Sequence, residues 1–108
     1  MIRPVGISAP EGELDMSTVD DVDQGLERFP LTDHLIIDLG RVSFVDSVTL
    51  ARFVLVARRH EEEGSRVVLA DARGPVRRIL AITQLDTVLS YTDDVESARA
   101  LVASLDRT

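Results

Sequence analysis

Short runs of apolar residues alternate with longer stretches in which apolar positions recur every third or fourth residue, the pattern of a sheet covered by helices. The run Leu35-Ile36-Ile37-Asp38-Leu39 has the aliphatic, β-branched character of a strand buried on both faces of a parallel sheet. Phe44-Val45 carries that apolar character up to a turn at Asp46-Ser47, two side chains that favour a helix N-cap. Beyond the turn, Leu50, Phe53, Val54 and Ala57 repeat at helical spacing, so one face of the predicted helix can lie against the sheet. A serine hydroxyl is thereby offered at the positive end of a helix, beside a carboxylate.

The flanking segments extend this alternation. Pro4, Pro10 and Gly12 interrupt the stretch from Val5 to Leu14, which predicts a short or edge strand, or a hairpin. A first helix follows, capped by Asp15 or Ser17, with Asp20 and Asp21 at its positive end, Val19, Val22, Leu26 and Phe29 as its buried stripe, and Pro30 as its stop. The helix after Ser47 is predicted to end near Gly64, behind the charged run His60-Glu61-Glu62-Glu63. Arg66 to Ala70 reads as a second buried strand. Gly74-Pro75 opens a third helix that turns Val76, Ile79, Leu80 and Thr83 inward. Val88-Leu89-Ser90-Tyr91 reads as a short final strand, and Asp93-Asp94-Val95-Glu96 announces a last helix through Ala98, Leu101, Val102 and Leu105. The fold class expected is α/β. It is one domain over residues 1–108, with a mixed, mainly parallel sheet of four or five strands packed with about four helices.

Composition narrows the chemistry. The 108 residues are 44% hydrophobic, enough for one core without staples. The absence of cysteine excludes disulfides and thiolate catalysis. No stretch reads as a signal peptide or membrane span, so a cytoplasmic location is expected. A formal net charge of −7 disfavours nucleic acid and anionic membrane surfaces as partners and leaves a protein partner as the natural one. His34 and His60 are distant in sequence, without metal-ligand spacing, and read as surface or boundary residues. No phosphate loop, dinucleotide fingerprint or nucleophile elbow is present, and neither histidine is placed to complete a triad with Ser47. The expectation is a protein that is not an enzyme and needs no metal or cofactor. Arg77 and Arg78 read as solvent-facing.

Gly12-Glu13-Leu14-Asp15, Leu35-Ile36-Ile37-Asp38-Leu39, Val42-Ser43-Phe44-Val45-Asp46-Ser47, Val67-Val68-Leu69, Pro75-Val76-Arg77-Arg78-Ile79-Leu80 and Asp94-Val95-Glu96-Ser97-Ala98 together, in this order and spacing, resemble the STAS domain of anti-sigma factor antagonists over nearly the whole chain. The resemblance implies a partner-switching regulator of transcription. In that family the unphosphorylated antagonist binds an anti-sigma factor that is also a serine kinase, and so frees a sigma factor. The kinase then phosphorylates the serine that follows an aspartate at the head of this helix, and a phosphatase reverses the step. Carried onto this chain, the phosphorylated residue is Ser47, and the partner surface comprises Asp15, Asp46, Ser47, Val48 and Thr49. A monomer or weak dimer is expected.

The chain departs from the family pattern where relatives tend to have Ser or Thr and then Gly after the serine, since Val48 and Thr49 stand there. A β-branched pair makes close approach of a kinase bulkier than glycine would. An alternative therefore stands beside the switch: a non-phosphorylated STAS accessory subunit of a lipid-transport ATPase, or part of a signalling scaffold. By residue type alone, Asp46 and Ser47 are also what any helix needs to satisfy its first N–H groups. Thr49 reads as a first-turn helix residue, and Asp15 as a cap or turn residue as readily as a contact.

Overall fold

The computed structural model describes residues 2–107. The elements in chain order are β1 (Val5–Ser8), β2 (Gly12–Leu14), α1 (Val19–Glu27), β3 (His34–Asp38), β4 (Val42–Val45), α2 (Ser47–Glu62), β5 (Val67–Ala70), α3 (Gly74–Ile82), α4 (Leu85–Val88), β6 (Ser90–Thr92) and α5 (Val95–Leu105). A four-stranded sheet runs β1-β3-β5-β6, and β2 and β4 form a separate two-stranded sheet. Every pairing among the described residues is parallel. The α/β class is as the apolar pattern predicts, with the strands divided between two sheets and a fifth, one-turn helix added.

The unbroken apolar runs are explained by what covers each face. Alternate side chains of β3 and β5 point to opposite sides. Leu35, Ile37, Val67 and Leu69 enter the larger core under α1, α2 and α3, while Ile36, Val68 and Ala70 meet Ala98 and Val102 of α5. All of these positions are essentially sealed from solvent. Phe53 of α2 is the largest fully buried side chain, and its burial contributes about 2–3 kcal/mol.

Helix ends follow local chemistry in three of the four longer helices. Asp46 caps α2 and Asp94 caps α5, each accepting from a backbone N–H three residues on. At the far end of α2, Gly64 adopts φ +84°. The N–H groups of Gly64 and Ser65 bond back to the carbonyls of Glu61 and His60, a Schellman closure that a left-handed glycine permits. Pro75 stands in the first turn of α3. The exception is α1, whose N-cap is Thr18 with no side-chain capping bond; Asp15 and Ser17 instead bond to each other one step earlier.

Four expectations are corrected. Residues 85–88 form the short helix α4, so the last strand begins at Ser90 rather than Val88. Thr83 caps the C-terminal end of α3 and is exposed, its hydroxyl donating to the Ile79 carbonyl. The helix α1 ends at Glu27 with Arg28 as its C-cap, before Pro30 is reached. Neither histidine lies at the surface, for His34 is 2% exposed and His60 0%. His34 Nδ1 accepts the Arg66 N–H at 3.0 Å, so its Nε2 carries the proton and donates to Asp106 Oδ1 at 2.8 Å. Asp106 also accepts the Arg3 N–H, so this carboxylate ties the N-terminal segment and His34 to the end of the last helix.

Candidate functional site

The turn between β4 and α2 is set from two sides. Strand β2 pairs with β4 so that Leu14 lies opposite Val45, and the Asp46 N–H donates to the Leu14 carbonyl at 3.0 Å. Both apolar residues are buried, which anchors the strand ends and turns the residues that follow them, Asp15 and Asp46, outward side by side. Asp46 then leaves the extended conformation as the N-cap of α2, its Oδ1 accepting the Thr49 N–H at 2.9 Å. That bond, with smaller help from the Thr49 side chain and the Met16 and Val48 N–H groups, holds the Asp46 carboxyl below the usual carboxylate range. The group is therefore ionised at neutral pH.

Ser47 is the first residue of this sixteen-residue helix and is exposed. Asp46 has taken the capping role, and the Ser47 hydroxyl makes no hydrogen bond among the described residues. The polar group with the most obvious alternative duty, capping, has been relieved of it. Beside Ser47 an open groove of about 250 Å3 runs between α2 and the α3–α4 corner, lined by Ser47, Leu50, Ala51, Val54, Thr83 and Leu85. Met16, whose N–H reaches toward the Asp46 carboxyl, is 71% exposed. The arrangement is a hydroxyl at a helix N-terminus, flanked by a carboxylate and bordered by apolar surface.

Of the residues expected at the partner surface, Asp15, Asp46 and Ser47 are brought together and Val48 is half-buried beside them. Asp15 is held by a turn, its Oδ1 accepting the Ser17 N–H at 2.9 Å and the Ser17 hydroxyl at 2.6 Å. Thr49 does not belong to that surface. It is 0% exposed, and its Oγ1 is sealed from solvent. It falls on the inward stripe with Phe53, Ala57 and His60; the four-residue steps from Thr49 to Ala57 were a readable sign of that orientation. Sequence reasoning passed over the groove, since its two walls come from separate segments, residues 47–54 and 83–85. Among the described residues, no cluster of three or more His, Cys, Asp or Glu side chains could hold a metal ion. No described helix is long and apolar enough to cross a membrane.

Known proteins share this fold. The fold superimposes on a candidate anti-sigma factor antagonist from Thermotoga maritima with a TM-score of 0.79 at 20% identity, over 90% of this chain and 87% of the other. A sulfate transporter family protein from Wolinella succinogenes gives 0.80 at 18% identity, covering 100% and 93%. The anti-sigma factor antagonist SpoIIAA in its unphosphorylated form gives 0.69 at 20% identity, covering 94% and 91%. Residues 10–91, most of the chain, match the family model described as "Mlab, STAS domain", and the chain therefore belongs to the STAS domain family.

Proposed function

We propose that this protein is a partner-switching regulator of the anti-sigma factor antagonist type, a single STAS domain over residues 1–108 that acts in the cytoplasm as substrate and switch rather than as enzyme. Unphosphorylated, it docks an anti-sigma serine kinase on Asp15, Asp46, Ser47 and Val48 and the adjoining groove, and so releases a sigma factor. The kinase moves a phosphoryl group from ATP to the Ser47 oxygen, the hydroxyl proton leaving, and a phosphatase removes it. The observation that carries the reading is the exposed Ser47 hydroxyl, free of internal bonds beside an ionised cap. A phosphate there adds about 1.5 to 2 negative charges next to Asp46. The helix N–H groups tolerate that charge, whereas a partner surface fitted to a hydroxyl loses binding through repulsion and desolvation.

A second reading, a non-phosphorylated accessory subunit of a lipid-transport ATPase or signalling scaffold, is favoured by one feature. Val48, half-buried beside Ser47, stiffens and crowds the backbone there. One experiment separates the two. The unmodified chain, Ser47→Ala and Ser47→Asp are used to capture partners from the native cell, and the captured complexes are given ATP. The switch predicts a serine kinase bound by wild type and Ser47→Ala, at least about tenfold weaker binding by Ser47→Asp, and a phosphate mass shift on Ser47 of the wild type. Equal binding by Ser47→Asp sinks the switch, and a transporter ATPase bound equally by all three supports the second reading.

A further inference from the structure

A half-open cavity of about 340 Å3 lies between the loop joining β1 to β2, strand β2 and helix α1. Ala9 and Pro10 of the loop, with Leu14 and Val22, give it apolar walls. The acidic residues Glu11, Glu13 and Asp21 stand exposed around it, and no lysine, arginine or histidine lines it. Glu11 already holds the Arg41 guanidinium at 2.8 Å, whereas Glu13 and Asp21 form no ion pair among the described residues. Gly25 completes the lining from within α1. Glycine in a helix interior is less favourable than alanine, and the fold supplies no reason for it here. Its φ is not left-handed, and a Cβ at this position would meet no packed neighbour within 4 Å. What the missing side chain leaves is open space at the cavity wall.

We propose that this cavity binds a small organic cation, an ammonium or guanidinium head on a compact apolar body. Its volume is at the lower end of the roughly 300–1,000 Å3 span of small-ligand sites, which fits a ring or a short chain. The body lies against Pro10, Leu14 and Val22 in the space that Gly25 keeps clear, while the head meets the exposed carboxylates. Charge of one sign around a cleft draws the opposite charge to it, and an anion would meet repulsion from every charged group that lines this one. The formal net charge of −7 acts in the same direction. A bare metal ion is disfavoured, because the described residues gather no three-ligand set for one and the apolar walls call for a carbon skeleton. None of Asp15, Asp46, Ser47 and Val48 lines the cavity, so the proposal stands or falls separately from the partner surface.

The isotope-labelled full chain is titrated at neutral pH and low salt with benzylamine, benzyl alcohol and benzoate, which share a ring and differ in the charge of the head group. The expected result is saturable movement of the Ala9, Glu13, Val22 and Gly25 resonances with benzylamine. Its affinity should be at least about fivefold above that for benzyl alcohol, with benzoate weaker than both. Raising the salt should weaken benzylamine and leave benzyl alcohol unchanged. Gly25→Leu places a side chain in the open space and favours the helix, so it should fold and lose the benzylamine shifts. Removing two charges together, by Glu13→Gln with Asp21→Asn, should bring benzylamine to within about twofold of benzyl alcohol. Equal affinity for benzylamine and benzyl alcohol, tighter binding of benzoate, undiminished binding by either variant, shifts centred on Ser47, or no saturable shifts at all each overturn the proposal.

Discussion

The two ends of α2 treat polar side chains in opposite ways. At the N-terminal end, Asp46 serves the backbone and leaves the Ser47 hydroxyl exposed and unengaged. At the C-terminal end, His60 is drawn wholly inside, where Nδ1 donates to the Asp33 carbonyl and lies 2.9 Å from Ser65 Oγ. Ser65 Oγ in turn donates to the Leu31 carbonyl at 2.6 Å. One end leaves a hydroxyl open to solvent and the other closes over its polar group. The difference teaches that a polar residue on a helix carries no function by its type: a side chain that the backbone consumes stabilises, and one that the backbone releases is available to another molecule.

Substitutions along this single helix measure that contrast. The largest effect belongs to neither end but to the middle, where Phe53→Ala should cost about 3–5 kcal/mol in denaturant unfolding, because Phe53 is 0% exposed under the sheet. Next comes His60→Leu, which leaves the Asp33 carbonyl without its donor; a loss of about 1–3 kcal/mol is expected by the same measurement. His60 also imposes a pH dependence. Its pKa is lowered by burial below 6.5, so as pH falls through that value the unfolded chain takes up a proton that the folded chain does not. Stability should therefore fall as pH is lowered from neutrality toward the depressed folded pKa, and His60→Leu should flatten that part of the profile. A wild type whose stability rises over that interval would contradict the buried neutral ring.

Asp46→Ala removes the cap, and a drop of a few degrees in Tm is expected. Because hydrogen bonding lowers the Asp46 pKa, its contribution should be present at neutral pH and disappear as pH falls through the depressed value. The smallest effect is that of Ser47→Ala, within about 0.5 kcal/mol of wild type. A clearly larger loss would mean that the hydroxyl is engaged in the fold and not free for a partner. The expected order runs from large in the middle of the helix to almost nothing at Ser47.

Much of this was legible before any coordinates. The runs at residues 35–39 and 66–70 announced strands covered on both sides, because only helices on both faces justify so few polar interruptions. Asp46, Asp94, Gly64 and Pro75 marked helix ends through local backbone chemistry, and all four stand at those ends. The misreadings share another cause. At residues 85–88 the run is too short for periodicity to distinguish a helical turn from a strand. Asp15 and Ser17 satisfy each other and leave the cap of α1 to Thr18. His60 continues the spacing of Leu50, Phe53 and Ala57, and its polarity hid the fact that it sits on the same buried face.

The amino-acid sequence by itself determined the alternation of strands and helices, the cap at Asp46 and the position of Ser47 in the first turn, because these depend on neighbours within a few residues. Only the tertiary structure decided that strand pairing of β2 with β4 sets Asp15 beside Asp46, that Thr49 turns inward, and that α3 and α4 wall a groove next to Ser47. It likewise sealed both histidines inside, by bringing Asp33 to His60 and Asp106 to His34 across 27 and 72 residues of chain. The physical reason is that capping and periodicity are short-range properties of the backbone. Exposure and pairing are set by whichever distant segments the shared core pulls into contact.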